Sequence, residues 1–273
     1  MVETLGQYKI LERIDTGGGV GDLYRARDTR TGRTVSLDVV PPAVTADPDR
    51  RTRFLRHAQA AAKLSHPNIA ALYEVGEDQG EVFLAFEFTP GETLKTVLTR
   101  GPMHARRALD LAVQIGDALA DAHGWGILHG DIRPVNIVET TKGRAKVLDF
   151  GLAQWTVGGA DRADTAAKSA AARGGAYASP EHKLGRPIDD RSDIFSFGVV
   201  LYEMLTGRLP SDGGTPAPSS INAELHHELD RILTKALQKT PDDRYSCAAT
   251  LTAELLAVLA IVNERAIRAR STE

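Results

Sequence analysis

Two short stretches constrain this chain more than any of its average properties. The first reads His129-Gly130-Asp131-Ile132-Arg133-Pro134-Val135-Asn136, and the second Val147-Leu148-Asp149-Phe150-Gly151. They put Asp131, Asn136 and Asp149 in two adjacent loops. Carboxylate and amide oxygens together are what a hard divalent cation on a polyphosphate requires. A single Asp or Asn in a loop is ordinarily a satisfied turn residue. Three at these spacings, with Ser179-Pro180-Glu181 farther along, are poorly explained that way.

The rest of the chain is ordinary enough to exclude several classes. At 273 residues, 42% hydrophobic and 25% charged, it reads as one large soluble domain or two small ones, not a disordered chain or a membrane bundle. A net charge of −3 gives no basic excess for nucleic acid. The single cysteine, Cys247, excludes an intramolecular disulfide and a multi-cysteine zinc site, and fits a reducing cytoplasm. The start, MVETLGQYKILERID, lacks the apolar core of a signal peptide. The longest late apolar run, Leu255 to Val262, falls short of the ~20 residues of a spanning helix, so no membrane segment is expected here.

Periodicity divides the chain near Thr89-Pro90-Gly91. Before it, strands are expected at Tyr8–Ile14, Asp22–Arg27, Thr34–Val40, Ala70–Val75 and Glu81–Phe88, with one helix from Asp49 to Leu64. After it the pattern is helical, at His104–His123, Asp193–Thr206, Glu224–Leu237 and Ala248–Arg265. The stretch Thr156–Gly175, rich in Ala, Gly, Asp and Ser, reads as an exposed loop. The expected units are residues 1–89 and 90–273. Glycines at 17, 18, 19 and 21 precede a period-two strand, not a helix, which favours a hairpin over phosphates and disfavours a dinucleotide-binding turn.

With these motifs assembled, the chain resembles the protein kinases, specifically bacterial Ser/Thr kinases of eukaryotic type. The resemblance runs from about Tyr8 to Leu256 and includes the glycine loop, HxDxxPxN, DFG at 149–151, SPE at 179–181, Ser192 to Gly198 and Asp243-Arg244-Tyr245. It implies an α+β, two-lobed fold with a small antiparallel-sheet lobe carrying one helix, a larger helical lobe and a nucleotide cleft between them. It further implies that Glu181 pairs with Arg244 beneath the activation segment, that Asp193 braces the catalytic loop, and that His129 and Phe150 are structural. Gly18, Gly21, Leu23, Glu87, Thr89 and Val138 would surround the nucleotide, with Phe86 at the rear of the pocket. Asn136 and Asp149 would hold the metal, Asp131 would accept a hydroxyl proton, and Arg133 would keep the charge of the loop lysine it replaces.

The pattern breaks at four places. The third strand of a kinase carries V-A-[IVL]-K, whose lysine holds phosphates and pairs with a helix glutamate. Here the stretch is Val35-Ser36-Leu37-Asp38, and the helix residue in Arg56-His57-Ala58 is His57. A lysine ~4 Å from a phosphate contributes about 4 kcal/mol at an effective dielectric of 20, before desolvation, and a carboxylate reverses the sign. A reversed Asp38–His57 pair, with the His57 pKa raised, is the expected local consequence. Thr16 stands at the first loop glycine. Gly130 replaces the arginine that would grip a phosphate on Thr156, Thr165 or Ser169. The stretch Ser211–Asn222 is too short and too rich in Pro and Gly for the helix kinases usually have there.

The expectation is therefore a pseudokinase: a regulator or scaffold that binds a partner protein, needs no cofactor, and has impaired ATP binding and phosphotransfer. The alternative is a weak or unconventional Ser/Thr kinase using ATP with Mg2+ or Mn2+. Among lesser features, His226 and His227 are expected to face apart on a helix. Leu255, Leu256, Leu259 and Val262 form one apolar stripe, expected to pack on the large lobe, with a dimer contact as the lesser reading. Arg265, Arg268 and Arg270 form a solvated basic tail.

Overall fold

The structure is a computed structural model, and it describes residues 4–14, 20–152, 155, 175–211 and 214–270. Strands β1 (Thr4–Leu5), β2 (Tyr8–Arg13), β3 (Asp22–Asp28), β4 (Thr34–Val39), β5 (Leu72–Asp78) and β6 (Glu81–Glu87) form one antiparallel sheet in the order β1-β2-β3-β4-β6-β5. Alternation along the strands gives it two apolar faces. The outer one buries Leu5, Tyr8, Val35, Leu37 and Phe83. The inner one carries Leu84 and Phe86 toward the helix that follows β4.

Pro41 and Pro42 end β4, as their missing N–H groups demand. Two helices follow where one was expected: a single turn, α1 (Pro42–Thr45), and α2 (Pro48–Ala61). Helix α2 has Pro48 in its first turn, and the Asp47 carboxylate caps it by accepting from the Arg50 N–H at 2.7 Å. Phe54, Ala58 and Ala61 fall at helical spacing and are buried against the sheet. The helix ends before Leu64, which lies in the turn beyond it.

Strand β7 (Gly91–Thr93) leaves that sheet and joins β8 (Ile137–Thr140) and β9 (Ala145–Val147). Around them lie α3 (Leu94–Leu98), α4 (Ala105–Gly124), α5 (Pro180–Lys183), α6 (Asp190–Thr206), α7 (Pro218–Ile221), α8 (Glu228–Ala236) and α9 (Ala248–Arg270). Asn68 links the lobes, its side-chain N–H donating to Ala145 O at 2.7 Å and to Gln114 Oε1 at 2.9 Å. Helices α4 and α9 approach so closely that a Cβ on Gly116 would lie 2.2 Å from Thr252 Oγ1. Where the usual helix after Pro210 was expected to be missing, the described residues form the single turn α7, held by Ser219 Oγ donating to Asp230 at 2.6 Å.

Four further expectations are corrected. Helix α6 starts three residues early because Asp189, not a residue nearer Asp193, supplies the cap, accepting from the Arg191 N–H at 3.0 Å. Helix α8 starts at Glu228, not Glu224. The His226 and His227 rings do not face apart but stack, 4.4 Å between centroids, because His227 precedes the helix proper. Leu256 is off the buried stripe at 54% exposed, while Leu251, Leu255 and Val258 fill the core against α4. By length and composition alone the helix within Pro241–Arg265 would suffice to cross a membrane, but its Leu251, Leu255 and Val258 lie in the large-lobe core.

Glu181 and Arg244 form the expected pair in the large lobe. Arg244 is bidentate to the carboxylate, 2.7 Å on each side, and its other N–H groups donate to the carbonyls of Gln238, Arg191 and Lys239. Ser192 Oγ adds a bond to Glu181 at 2.6 Å. Burial alone would raise the Glu181 carboxyl, but the Arg244 and Ser192 bonds outweigh it and hold it at about 2. A pair buried this way is costly to break from one side, so Arg244→Ala should lose about 3–5 kcal/mol in urea melts. The depressed carboxyl stabilises the fold above its ordinary value near 4.5 and ceases to do so as pH falls toward 2. Glu181→Gln should flatten that acid slope, which urea midpoints measured between those pH values would reveal.

Candidate active site

The cleft begins where β3 and β4 pair, with Leu23 opposite Asp38, Arg25 opposite Ser36, and Asp22 opposite Val39. Gly21 crosses β4 so tightly that a Cβ there would lie 1.9 Å from Val39 O, which restricts the position to glycine. This approach brings two loop amides onto one side chain. Asp38 is fully buried and accepts from the Val20 N–H at 2.7 Å and from the Gly21 N–H at 2.8 Å. Burial is the main cause that pushes its carboxyl up to about 7, the Asp149 charge adds to it, and the two amides pull the other way.

Asp38 and His57 do not form the reversed pair. Both oxygens of Asp38 go to the loop, and His57 is shifted downward, first by burial and then by Arg56 and Arg53, opposite to what a carboxylate partner produces. The His57 ring meets Trp155 edge-on at 5.7 Å, and Phe54 meets the same indole at 5.5 Å. Helix α2 is thus joined to the chain just beyond Asp149-Phe150-Gly151 by aromatic packing. Arg25 of β3 does not take the lysine's place: its Nε is 3.0 Å from Glu12. Thr16 and Gly18 lie outside the described residues, as do 156–174 of the expected exposed loop, including Thr156, Thr165 and Ser169.

The catalytic loop is held from beneath by Asp193 at the start of α6. Its buried carboxylate accepts from the His129 and Gly130 N–H groups, each at 2.8 Å, and from His123 Nε2 at 2.9 Å. Burial would raise the Asp193 carboxyl, but these partners keep it lowered. Burial works against a charged His123 as well, yet the Asp193 bond keeps its pKa raised. His129 accepts the Asp131 N–H on Nδ1 at 3.1 Å and donates from Nε2 to Leu148 O at 2.9 Å, a neutral tautomer that matches its burial-lowered pKa. Its ring lies edge-on to Phe150 at 4.8 Å. Gly130 has φ 76°, the left-handed region, where glycine is free of Cβ strain.

Above this support Asp131 and Asn136 are joined, and the chain carrying Asp149 is tied to them. Asn136 Nδ2 donates to Asp131 O at 2.9 Å and to Asp131 Oδ2 at 3.1 Å. The Leu148 N–H donates to Asn136 O at 2.9 Å, which ties the loop to the strand end carrying Asp149. Arg133 Nε is 3.0 Å from Asp131 Oδ2. Asn136 Oδ1 is buried with no hydrogen-bond partner among the described residues. An orphaned buried oxygen beside a carboxylate loop fits a divalent cation, which Asn136 and Asp149 would hold. The phosphates fit less well, because two amides at the described end of the loop, those of Val20 and Gly21, already hold Asp38.

On the purine side, Leu23 is half-buried on β3, Val138 is buried on β8, and Phe86 is buried in the small-lobe core. Glu87 turns its side chain to Lys146, at 2.6 Å, and its backbone N–H donates to Ala71 O at 2.8 Å. Thr89 Oγ1 donates to Glu87 O at 3.5 Å. Sequence reasoning missed Lys146, Trp155 and Val20. Only Trp155 had a signal, as a large aromatic in a stretch of small residues.

The protein kinase domain family model matches residues 8–258. Serine/threonine-protein kinase PknB of Mycolicibacterium smegmatis is 38% identical over 260 residues, covering 88% of this chain and 41% of the relative. A probable serine/threonine-protein kinase of Streptomyces coelicolor, SCO3848, is 38% identical over 261 residues, covering 89% of this chain and 38% of that protein. The chain thus spans about two fifths of the length of these curated relatives. Among solved structures, a mutant form of the Mycobacterium tuberculosis PknI kinase domain superposes with a TM-score of 0.75 at 25% identity, covering 93% of this chain and 97% of that one. With the family match, the two-lobed fold and the motif geometry agreeing, this chain belongs to the protein kinase family, in its bacterial Ser/Thr branch of eukaryotic type.

Proposed function

We propose that this kinase domain acts chiefly as a regulator that binds a partner protein, with ATP binding and phosphotransfer impaired. One observation carries the reading: a carboxylate stands at the lysine position and occupies the Val20 and Gly21 amides at the end of the glycine loop. Backbone N–H groups in such a loop form an anion site. Here the anion is part of the chain, so a triphosphate has to displace it and meet its charge.

A second reading is an ATP-dependent protein Ser/Thr kinase, and the comparisons back it more directly, since the relatives are named as such kinases. The oxygen set favours it too. Asp149 and Asn136 would hold Mg2+ or Mn2+, which neutralises phosphate charge when bound. Asp131, oriented by Asn136 and Arg133, would accept the proton of a substrate hydroxyl.

Thermal shift separates the two readings, because a ligand that binds only the folded state raises Tm. The expected result is no rise with millimolar ATP, with or without Mg2+ or Mn2+, and a metal-dependent rise in the Asp38→Lys, His57→Glu double variant. A rise in the unaltered protein, with label transfer to a protein substrate that Asp131→Asn abolishes, would instead establish the kinase. The local claim has its own check. Asp38→Ala should speed hydrogen exchange at the Val20 and Gly21 amides by roughly tenfold or more while Ala26 in β3 stays protected.

A further inference from the structure

We infer that the cleft selects an uncharged purine ligand, a free base or a nucleoside without phosphate, over a nucleotide. The inference rests on the closed phosphate site proposed above and names what the remaining half of the cleft accepts.

The two halves of the cleft differ in what they leave open. Strand register places Leu23, Ser36, Asp38 and Phe86 on one face of the sheet, since Leu23 opposes Asp38 and Ser36 opposes Phe86. Leu23 and Ser36 are half-buried, and Val138 on β8 supplies an apolar surface from the other lobe. Among the described residues the Thr89 N–H makes no hydrogen bond, so the connection between the lobes keeps a backbone donor for a flat heterocycle. These groups are apolar or neutral, and each suits a purine ring.

Farther along the same face the chemistry reverses. Asp38 holds the Val20 and Gly21 amides, and the Asp149 charge acts on Asp38. Among the described residues, three cations near the cleft already have acids: Arg25 with Glu12 at 3.0 Å, Arg133 with Asp131 at 3.0 Å, and Lys146 with Glu87 at 2.6 Å. A phosphate chain entering here would meet two carboxylates and amides that are already occupied. A nucleoside would meet neither cost, because it carries no charge into that half.

Calorimetric titration of the whole chain with adenosine, ADP and ATP, each with and without Mg2+, tests this. Adenosine should bind about tenfold or more tightly than ATP. Asp38→Ser, which removes the charge and frees the amides, should narrow or invert that ratio; Asp38→Asn serves if the first variant does not fold. If unaltered protein prefers ATP, both this inference and the closed phosphate site fall. If neither ligand binds, only this inference falls. An adenosine preference that persists unchanged in folded Asp38 variants would remove Asp38 as its cause and overturn the argument.

Discussion

A carboxylate taken out of water must be met by hydrogen-bond donors or become neutral, and three buried acids organise this molecule under that constraint. Asp193 collects two backbone amides and a histidine, and by doing so sets the catalytic loop on α6. Glu181 takes both arms of Arg244 and anchors the segment that precedes α6. Asp38 takes two loop amides and draws the glycine loop onto β4. The first two bring charge or a full donor set to their acids. The third has only amides and faces another carboxylate, so its carboxyl sits far above the ordinary range. The same physical demand therefore stabilises the large lobe and closes part of the cleft in the small one.

Trp155 changes how the small lobe is held together. In the family pattern an ion pair would join strand and helix. Here neither partner of that pair is present, and α2 instead packs through Phe54 and His57 on an indole from the chain beyond Gly151. Aromatic packing of this kind is less directional than a charge-assisted hydrogen bond between lysine and glutamate. The position of α2 is thereby linked to the chain after Asp149 by packing, not by charge across the cleft.

Much of the fold was legible because its signals are local. Alternation along Asp22–Arg27 and Thr34–Val40, the proline pair at 41 and 42, and the apolar spacing in α4 each report on a few neighbouring residues. The paired motifs around Asp131 and Asp149 were legible for the same reason. What failed was mostly set by distant partners or caps: the early start of α6 from Asp189, the exposure of Leu256 and the stacking of His226 on His227. The lost lysine was visible in the sequence, since Thr34 to Val40 contains none. Which way its replacement would turn was not.

The order of residues alone determined that an acid stands where this family places a cation, that the oxygen donors at 131, 136 and 149 persist, and that the chain divides into a sheet lobe and a helical lobe. Only the folded arrangement decided that Asp38 would join Val20 and Gly21 and not His57. The reason is geometric. Gly21 lacks the Cβ that would strike Val39 O, so the loop can lie close enough to offer its amides, and His57 is held at the indole of Trp155. Partner choice for a buried charge depends on which donors arrive within about 3 Å, and that is a property of packing that no stretch of sequence encodes locally.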